Sequence, residues 1–162
     1  MSTAVTTMLS TTSLAKQLAH DYPELAFKAG DDFVWSPETR TILFRVSDQQ
    51  NETWALLHEL SHAVLGHDGF TNDIELIKKE VEAWHHARDA LAPHYQLAIT
   101  DTYIDTQLDS YRDWLHARSL CPRCRQTGLQ THTRRYSCMN CNVSWRVNDA
   151  RRCALRRHLE AA

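Results

Sequence analysis

Histidine, glutamate and histidine occupy positions 58, 59 and 62 of this chain. Residues four apart lie one above the other on a helix, so His58 and His62 would project two imidazoles from one face. Leu56, Leu57, Leu60, Ala63 and Val64 cluster on the opposite side, so the helix can bury one face and offer the histidines to a cleft. Two imidazoles and one further donor hold zinc and keep a fourth position for water, whose pKa the metal lowers. Glu59 lies to one side of the pair. It can take the proton of that water as it attacks a carbonyl, then pass it to the leaving amine. The expected roles are metal ligation for His58 and His62 and general-base catalysis for Glu59.

The third ligand is sought in the next helical segment, residues 73–91. Leu76, Ile77, Val81, Ala83, Trp84, Ala87 and Leu91 define its apolar side, and Glu80 falls in the middle of that side. An inward carboxylate is costly unless it is paired or bound to metal, so Glu80 is the expected third ligand. Glu82 falls on the polar side, where a solvated pair with Lys78 at i, i+4 spacing is expected. His85 and His86 read as surface residues, one of which can support a ligand from behind. His67, just after Gly66, is expected to cap the helix or face solvent. His94, Tyr95, Tyr103 and Tyr111 are candidates to stabilise an oxyanion.

A second metal chemistry is written in cysteine. Cys121 and Cys124, then Cys138 and Cys141, form two C-x-x-C pairs with 13 residues between them. Two such knuckles can close a tetrahedral four-thiolate zinc site across a short hairpin. All five cysteines lie after position 120, which fits a metal module and not a secreted disulfide scaffold. Cys153 is left over and reads as a free thiol. Residues 1–120 carry 9 Lys and Arg against 18 Asp and Glu, whereas residues 121–162 carry 9 Arg against 2 acids. Composition therefore changes at Cys121. Arg134, Arg135 and Arg146, with Trp145 beside them, suit contact with the backbone and bases of DNA or RNA. The same positive surface could instead dock on the acidic half.

These groups need positioning. A helix is expected from about Ser13 to the residues before Pro23, then a β-hairpin with strands at Phe33–Trp35 and Thr41–Val46. The histidine helix should run from Glu52 to Leu65 and stop at Gly66. Further helices are expected from Asp73 to Leu91 and from Thr100 to Arg118, the last with a stripe of Ile104, Leu108, Tyr111 and Leu115. Three short strands should complete the cysteine module, in residues 128–137 and 143–147. The expected organisation is a disordered segment at 1–12, a catalytic domain at 13–118, a zinc ribbon at 119–148 and an arginine-rich tail at 149–162. No apolar run reaches the ~18 residues of a membrane span. The first residues lack the basic start of a secretory signal, so a cytoplasmic location is expected.

The stretches "HELSHAVLGH" and "EVEAWHHARDAL" resemble the ImmA/IrrE family of metallopeptidases. The resemblance covers about a quarter of the chain. It implies a minimal zincin-like fold and cleavage of a protein substrate, a DNA-associated regulator. It assigns His58, His62 and Glu80 as zinc ligands and Glu59 as general base. The chain departs from the family at His85-His86, where an aromatic followed one residue later by alanine is usual. SprT-like proteases are similar in one respect, since they too join H-E-x-x-H to a zinc ribbon, but their third ligand is a histidine. A reading of another class is a non-proteolytic nucleic-acid-binding protein with a vestigial peptidase fold. The favoured expectation is an α+β protein: a small sheet with three or four helices, followed by a zinc ribbon, with one catalytic and one structural zinc ion.

Overall fold

In the computed structural model, which describes residues 9–160, helix α1 (Thr11–Asp21) opens at Ser10, whose hydroxyl accepts the Ser13 N–H at 3.1 Å. The cap satisfies one of the donors a helix start leaves free. Most of the segment expected to be disordered, residues 1–8, lies outside the described residues. Thr11 and Thr12 are already helical. Thr11 is fully buried, and its hydroxyl donates to the Arg45 carbonyl at 2.7 Å. Leu14 and Leu18, one turn apart, are also fully buried.

The chain folds as α+β, with helices and two small sheets of three and four strands among the described residues. It divides into two compact units. One takes the residues up to Asp68 and Val81–Thr100, and the other takes Gly69–Glu80 and the residues from Asp101 onward. Residues 69–80 and the last long helix cluster with the cysteine module.

In the first unit, strands β1 (Ala26–Ala29), β2 (Val34–Ser36) and β3 (Thr41–Phe44) form a sheet of order β1-β3-β2. The hairpin of β2 and β3 is antiparallel as expected, while β1 pairs with β3 in parallel and was not foreseen. Central β3 buries Thr41, Ile42 and Phe44. Helix α2 (Gln50–Val64) is enclosed on both sides, because Leu56, Leu57 and Leu60 are fully buried and His58 and His62 are 5% and 9% exposed. Gly66 ends the helix at φ +70°, a conformation that favours glycine. Its N–H bonds to the Ala63 carbonyl and the His67 N–H reaches back to the His62 carbonyl at 2.9 Å. This pair of bonds is a Schellman motif.

Helix α3 (Asp73–His86) continues through a π-helical turn, Ala87–Leu91, into the short helix α4 (Ala92–His94). The expected single helix to Leu91 is thus broken before its end. Pro93 lies just beyond the π turn, within α4.

In the second unit, helix α5 (Asp101–Ser119) precedes strands β4 (Leu129–His132), β5 (Arg135–Ser137), β6 (Ser144–Val147) and β7 (Arg157–Leu159), all antiparallel in that order. The segment expected to be a tail thus adds a strand to the edge of β6. The core is Cys121, Tyr136, Cys138, Trp145 and Val147. Gly128 must be glycine for steric reasons, since a Cβ there would stand 2.3 Å from the Trp145 ring. Asp73 and Arg118, each 2% exposed, form a buried pair with Nε–Oδ2 at 2.6 Å and Nη2–Oδ1 at 3.2 Å. The Tyr136 hydroxyl donates to the same carboxylate, and Arg118 lies over the Trp114 ring. A buried ion pair is tolerated when further hydrogen bonds complete it, and here they join the start of α3 to α5 and β5.

Candidate metal centres

His58 and His62 sit one turn apart on α2, and their Nε2 atoms approach to 3.1 Å. Two nitrogens at ~2.0–2.1 Å from a tetrahedral zinc stand about 3.3 Å apart, so the pair already converges as two ligands would. Glu80, 5% exposed on α3, brings a carboxylate oxygen to them, and the three donors lie within 4.8 Å of one another. This group could hold a metal ion. The inward helical angle that singled out Glu80 is the reason it is buried.

The surrounding contacts fix the donors. The His58 ring stacks on Trp84 with centroids 4.1 Å apart. Glu59 is half-buried, and its Oε2 accepts the backbone N–H of Trp35 at 2.7 Å, while Trp35 Nε1 donates to the His67 carbonyl at 3.0 Å. On the other flank, Tyr111 hydrogen-bonds to Glu80, and its hydroxyl accepts from Arg151 Nη2 at 2.7 Å. Burial first, then the charge of Glu80, pushes the Tyr111 hydroxyl well above its ordinary range.

Other candidates lie elsewhere. Glu82 is exposed, yet its partner is His67 at 3.3 Å, where a pair with Lys78 was expected. His67 is correspondingly not a solvated side chain, for it is 10% exposed and its Nδ1 lies 2.8 Å from Nδ1 of His62. His85 is exposed, and His86 Nδ1 bonds to the Ser61 hydroxyl at 3.1 Å. Of the oxyanion candidates, Tyr95 donates to Asp21 at 2.9 Å, His94 is exposed, Tyr103 is half-buried, and Tyr111 bonds to the candidate ligand Glu80.

The four cysteines form the second group that could hold a metal ion. Cys121 and Cys141 sulfurs are 3.6 Å apart and those of Cys124 and Cys138 are 3.4 Å apart. These spacings exceed a disulfide bond and approach the ~3.8 Å edge of a four-thiolate zinc tetrahedron with Zn–S of ~2.3 Å. The two knuckles are built alike. Arg125 N–H bonds to the Cys121 carbonyl and Asn142 N–H to the Cys138 carbonyl, both at 3.0 Å, and Arg125 and Asn142 both have positive φ. A hydrogen bond from Asn140 and one from the Gln126 N–H lower the Cys124 thiol to about 6. Burial raises that of Cys141 to about 12. Crowding four thiols in this way disfavours several thiolates at once unless a cation sits among them.

The expected nucleic-acid residues separate. Arg134 is exposed in the β4–β5 turn, and Arg146 is exposed on β6. Arg135, on β5, bonds to Glu160 at 2.8 Å. Trp145 must be withdrawn as a stacking residue: it is fully buried, and its Nε1 donates to the Arg118 carbonyl. Its alternation with Val143 and Val147 marks a core position.

No described helix is long and apolar enough to cross a membrane. Comparison with protein-family models, with curated proteins and with solved structures returns no match.

Proposed function

We propose that the chain is a zinc-dependent metallopeptidase of ImmA/IrrE type that hydrolyses a protein substrate, a DNA-associated regulator. The carrying observation is the convergence of His58, His62 and Glu80 on one point with Glu59 next to the first ligand. A carboxylate third donor supports this reading over a SprT-like one, which calls for histidine. Bound there, zinc would supply Lewis-acid polarisation and acidify a water molecule. His58 and His62 bind through Nε2, and Glu80 completes the donors. With Oε2 held by the Trp35 N–H, Glu59 keeps Oε1 for the proton of the attacking water. It returns that proton to the amide nitrogen as the C–N bond breaks. Tyr111 holds Glu80 in place. The four cysteines hold a structural zinc in a ribbon.

The test is Glu59→Gln in the full chain, assayed for cleavage of a DNA-associated repressor and for zinc content. We expect turnover to fall ~10²–10⁴-fold with both metals retained. Unchanged turnover would remove Glu59 from the mechanism.

A second activity, binding of DNA or RNA, is favoured by the strand register of the cysteine unit. His132 pairs with Arg135, Arg135 with Arg146, and Arg146 with His158. Directly opposed residues share a face, so one face of the sheet carries a cross-strand row of these four. Tyr136 and Trp145 are buried, so this face suits phosphates and not base stacking. Binding should weaken steeply with salt, and Arg135→Glu with Arg146→Glu should abolish it without loss of either metal.

A further inference from the structure

The candidate peptidase centre leaves two neighbours unused, His67 and Glu82. The sequence predicts a helix cap or a solvated side chain for His67 and a solvated acid for Glu82, and the structure joins both to a candidate metal ligand. His62 Nδ1 lies 2.8 Å from His67 Nδ1, and His67 Nε2 lies 3.3 Å from Glu82 Oε2. We infer that Glu82 and His67 are positioning residues that hold His62 in the tautomer and orientation the metal requires. This inference rests on the reading of His58, His62 and Glu80 as a metal site.

The direction of the chain follows from valence. A neutral imidazole carries one ring proton. Nε2 of His62 points at Nε2 of His58, the side on which the donors converge. A metal there takes the Nε2 lone pair, so the proton of His62 sits on Nδ1. Only one proton fits between two nitrogens 2.8 Å apart, so His67 accepts through Nδ1 and its own proton sits on Nε2. That proton faces the Glu82 carboxylate, which accepts it. A carboxylate acting through imidazole raises the basicity of a histidine ligand and fixes its ring; here a second imidazole lies in between.

Local structure explains how His67 reaches the site. Gly66, at φ +70°, turns the backbone at the end of α2, and the Schellman bond from the His67 N–H to the His62 carbonyl places the two residues together. Trp35 Nε1 donates to the His67 carbonyl and pins it from the other side. The backbone of His67 is thus held independently of its ring, so ring substitutions should fold.

The experiment measures zinc affinity of the His/Glu site by chelator competition in the full chain, with the cysteine site loaded. His67→Phe keeps the ring volume and removes both hydrogen bonds. We expect a ~10–100-fold loss of affinity and a changed visible spectrum of the cobalt(II) form. His67→Gln, which can accept with its oxygen and donate with its nitrogen, should recover most of the affinity. Glu82→Gln should cost a few-fold only, since Glu82 is exposed. Equal weakening by His67→Phe and His67→Gln would make the role one of packing and overturn the proposal. Wild-type affinity in His67→Phe, with metal lost in His58→Ala, would overturn it while leaving the metal site intact. Unchanged binding in His58→Ala would instead sink the metal reading beneath it. Should His67→Phe fail to fold, nitrogen-15 spectra of the zinc-loaded wild type decide: a proton on His67 Nε2 supports the chain, and one on Nδ1 refutes it.

Discussion

The two candidate centres gather their donors by opposite routes. Each cysteine knuckle is a local turn: the carbonyl of its first cysteine accepts the N–H four residues on, and the residue supplying it stands at positive φ. Two such turns, bridged by β4 and β5, make the whole donor set. The His/Glu centre takes two donors from one turn of α2 and a third from a different helix, 18 residues further along the chain. Its donors are then held from behind, His58 by Trp84, His62 by His67 and Glu80 by Tyr111. Four thiolates fill a tetrahedron, whereas three donors leave a corner for chemistry. The difference teaches that a closed site can be encoded by its ligands alone, while an open one depends on the neighbours that orient them.

The largest expected effect tests that contrast directly. Zinc held by four cysteines is worth ~10 kcal/mol or more of folding free energy, so Cys121→Ser should unfold the sheet of β4 to β7, with loss of the near-ultraviolet signal of Trp145. His58→Ala should release the other metal and leave that signal intact. If Cys121→Ser kept both its metal and its folded sheet, the proposed distinction between a structural and a catalytic centre would collapse.

Next in size is the buried pair of Asp73 and Arg118. Asp73→Ala leaves a guanidinium that is 2% exposed without its carboxylate, and such uncompensated charges cost about 3–5 kcal/mol. Chemical denaturation of the zinc-loaded protein should show this loss. Asp73 stands two turns before Glu80 on α3, so the variant should also loosen zinc at the His/Glu centre. A stable variant with weakened zinc would show that the pair serves the site more than the fold.

How much of this could be read beforehand depended on whether the signal was local. The pair His58 and His62 and both cysteine knuckles are short-range patterns, and each donor set converges as its spacing implies. Glu80 was legible because a carboxylate in the middle of an apolar helix face demands a reason. Strand β1 was not, because Ala26–Ala29 has no clear alternation and pairs with β3 only in three dimensions. All three residues of strand β7 are exposed, and the strand forms on the edge that β6 offers. Trp145 was misread as a stacking platform although its own alternation with Val143 and Val147 pointed inward. His67 carried a faint signal: glycine at position 66 implies a Schellman turn, and that turn brings the next residue back to the carbonyl of His62.

The smallest expected effect separates the two knuckles, which are otherwise alike. Arg125 has φ 61° and Asn142 has φ 56°, the left-handed region that costs a residue with a Cβ roughly 1 kcal/mol relative to glycine. Asparagine tolerates that region better than arginine, since its short side chain can bond to nearby backbone. Arg125→Gly should therefore stabilise the loaded protein by up to ~1 kcal/mol, less the added chain entropy of the unfolded state. Asn142→Gly should gain less or nothing. Both substitutions keep the N–H groups that bond to Cys121 and Cys138, so zinc content should not change. Thermal melts of the zinc-loaded variants would read the difference. If Arg125→Gly melted lower than wild type, the arginine side chain would be supplying a contact that outweighs its backbone strain, and the two knuckles would not be equivalent.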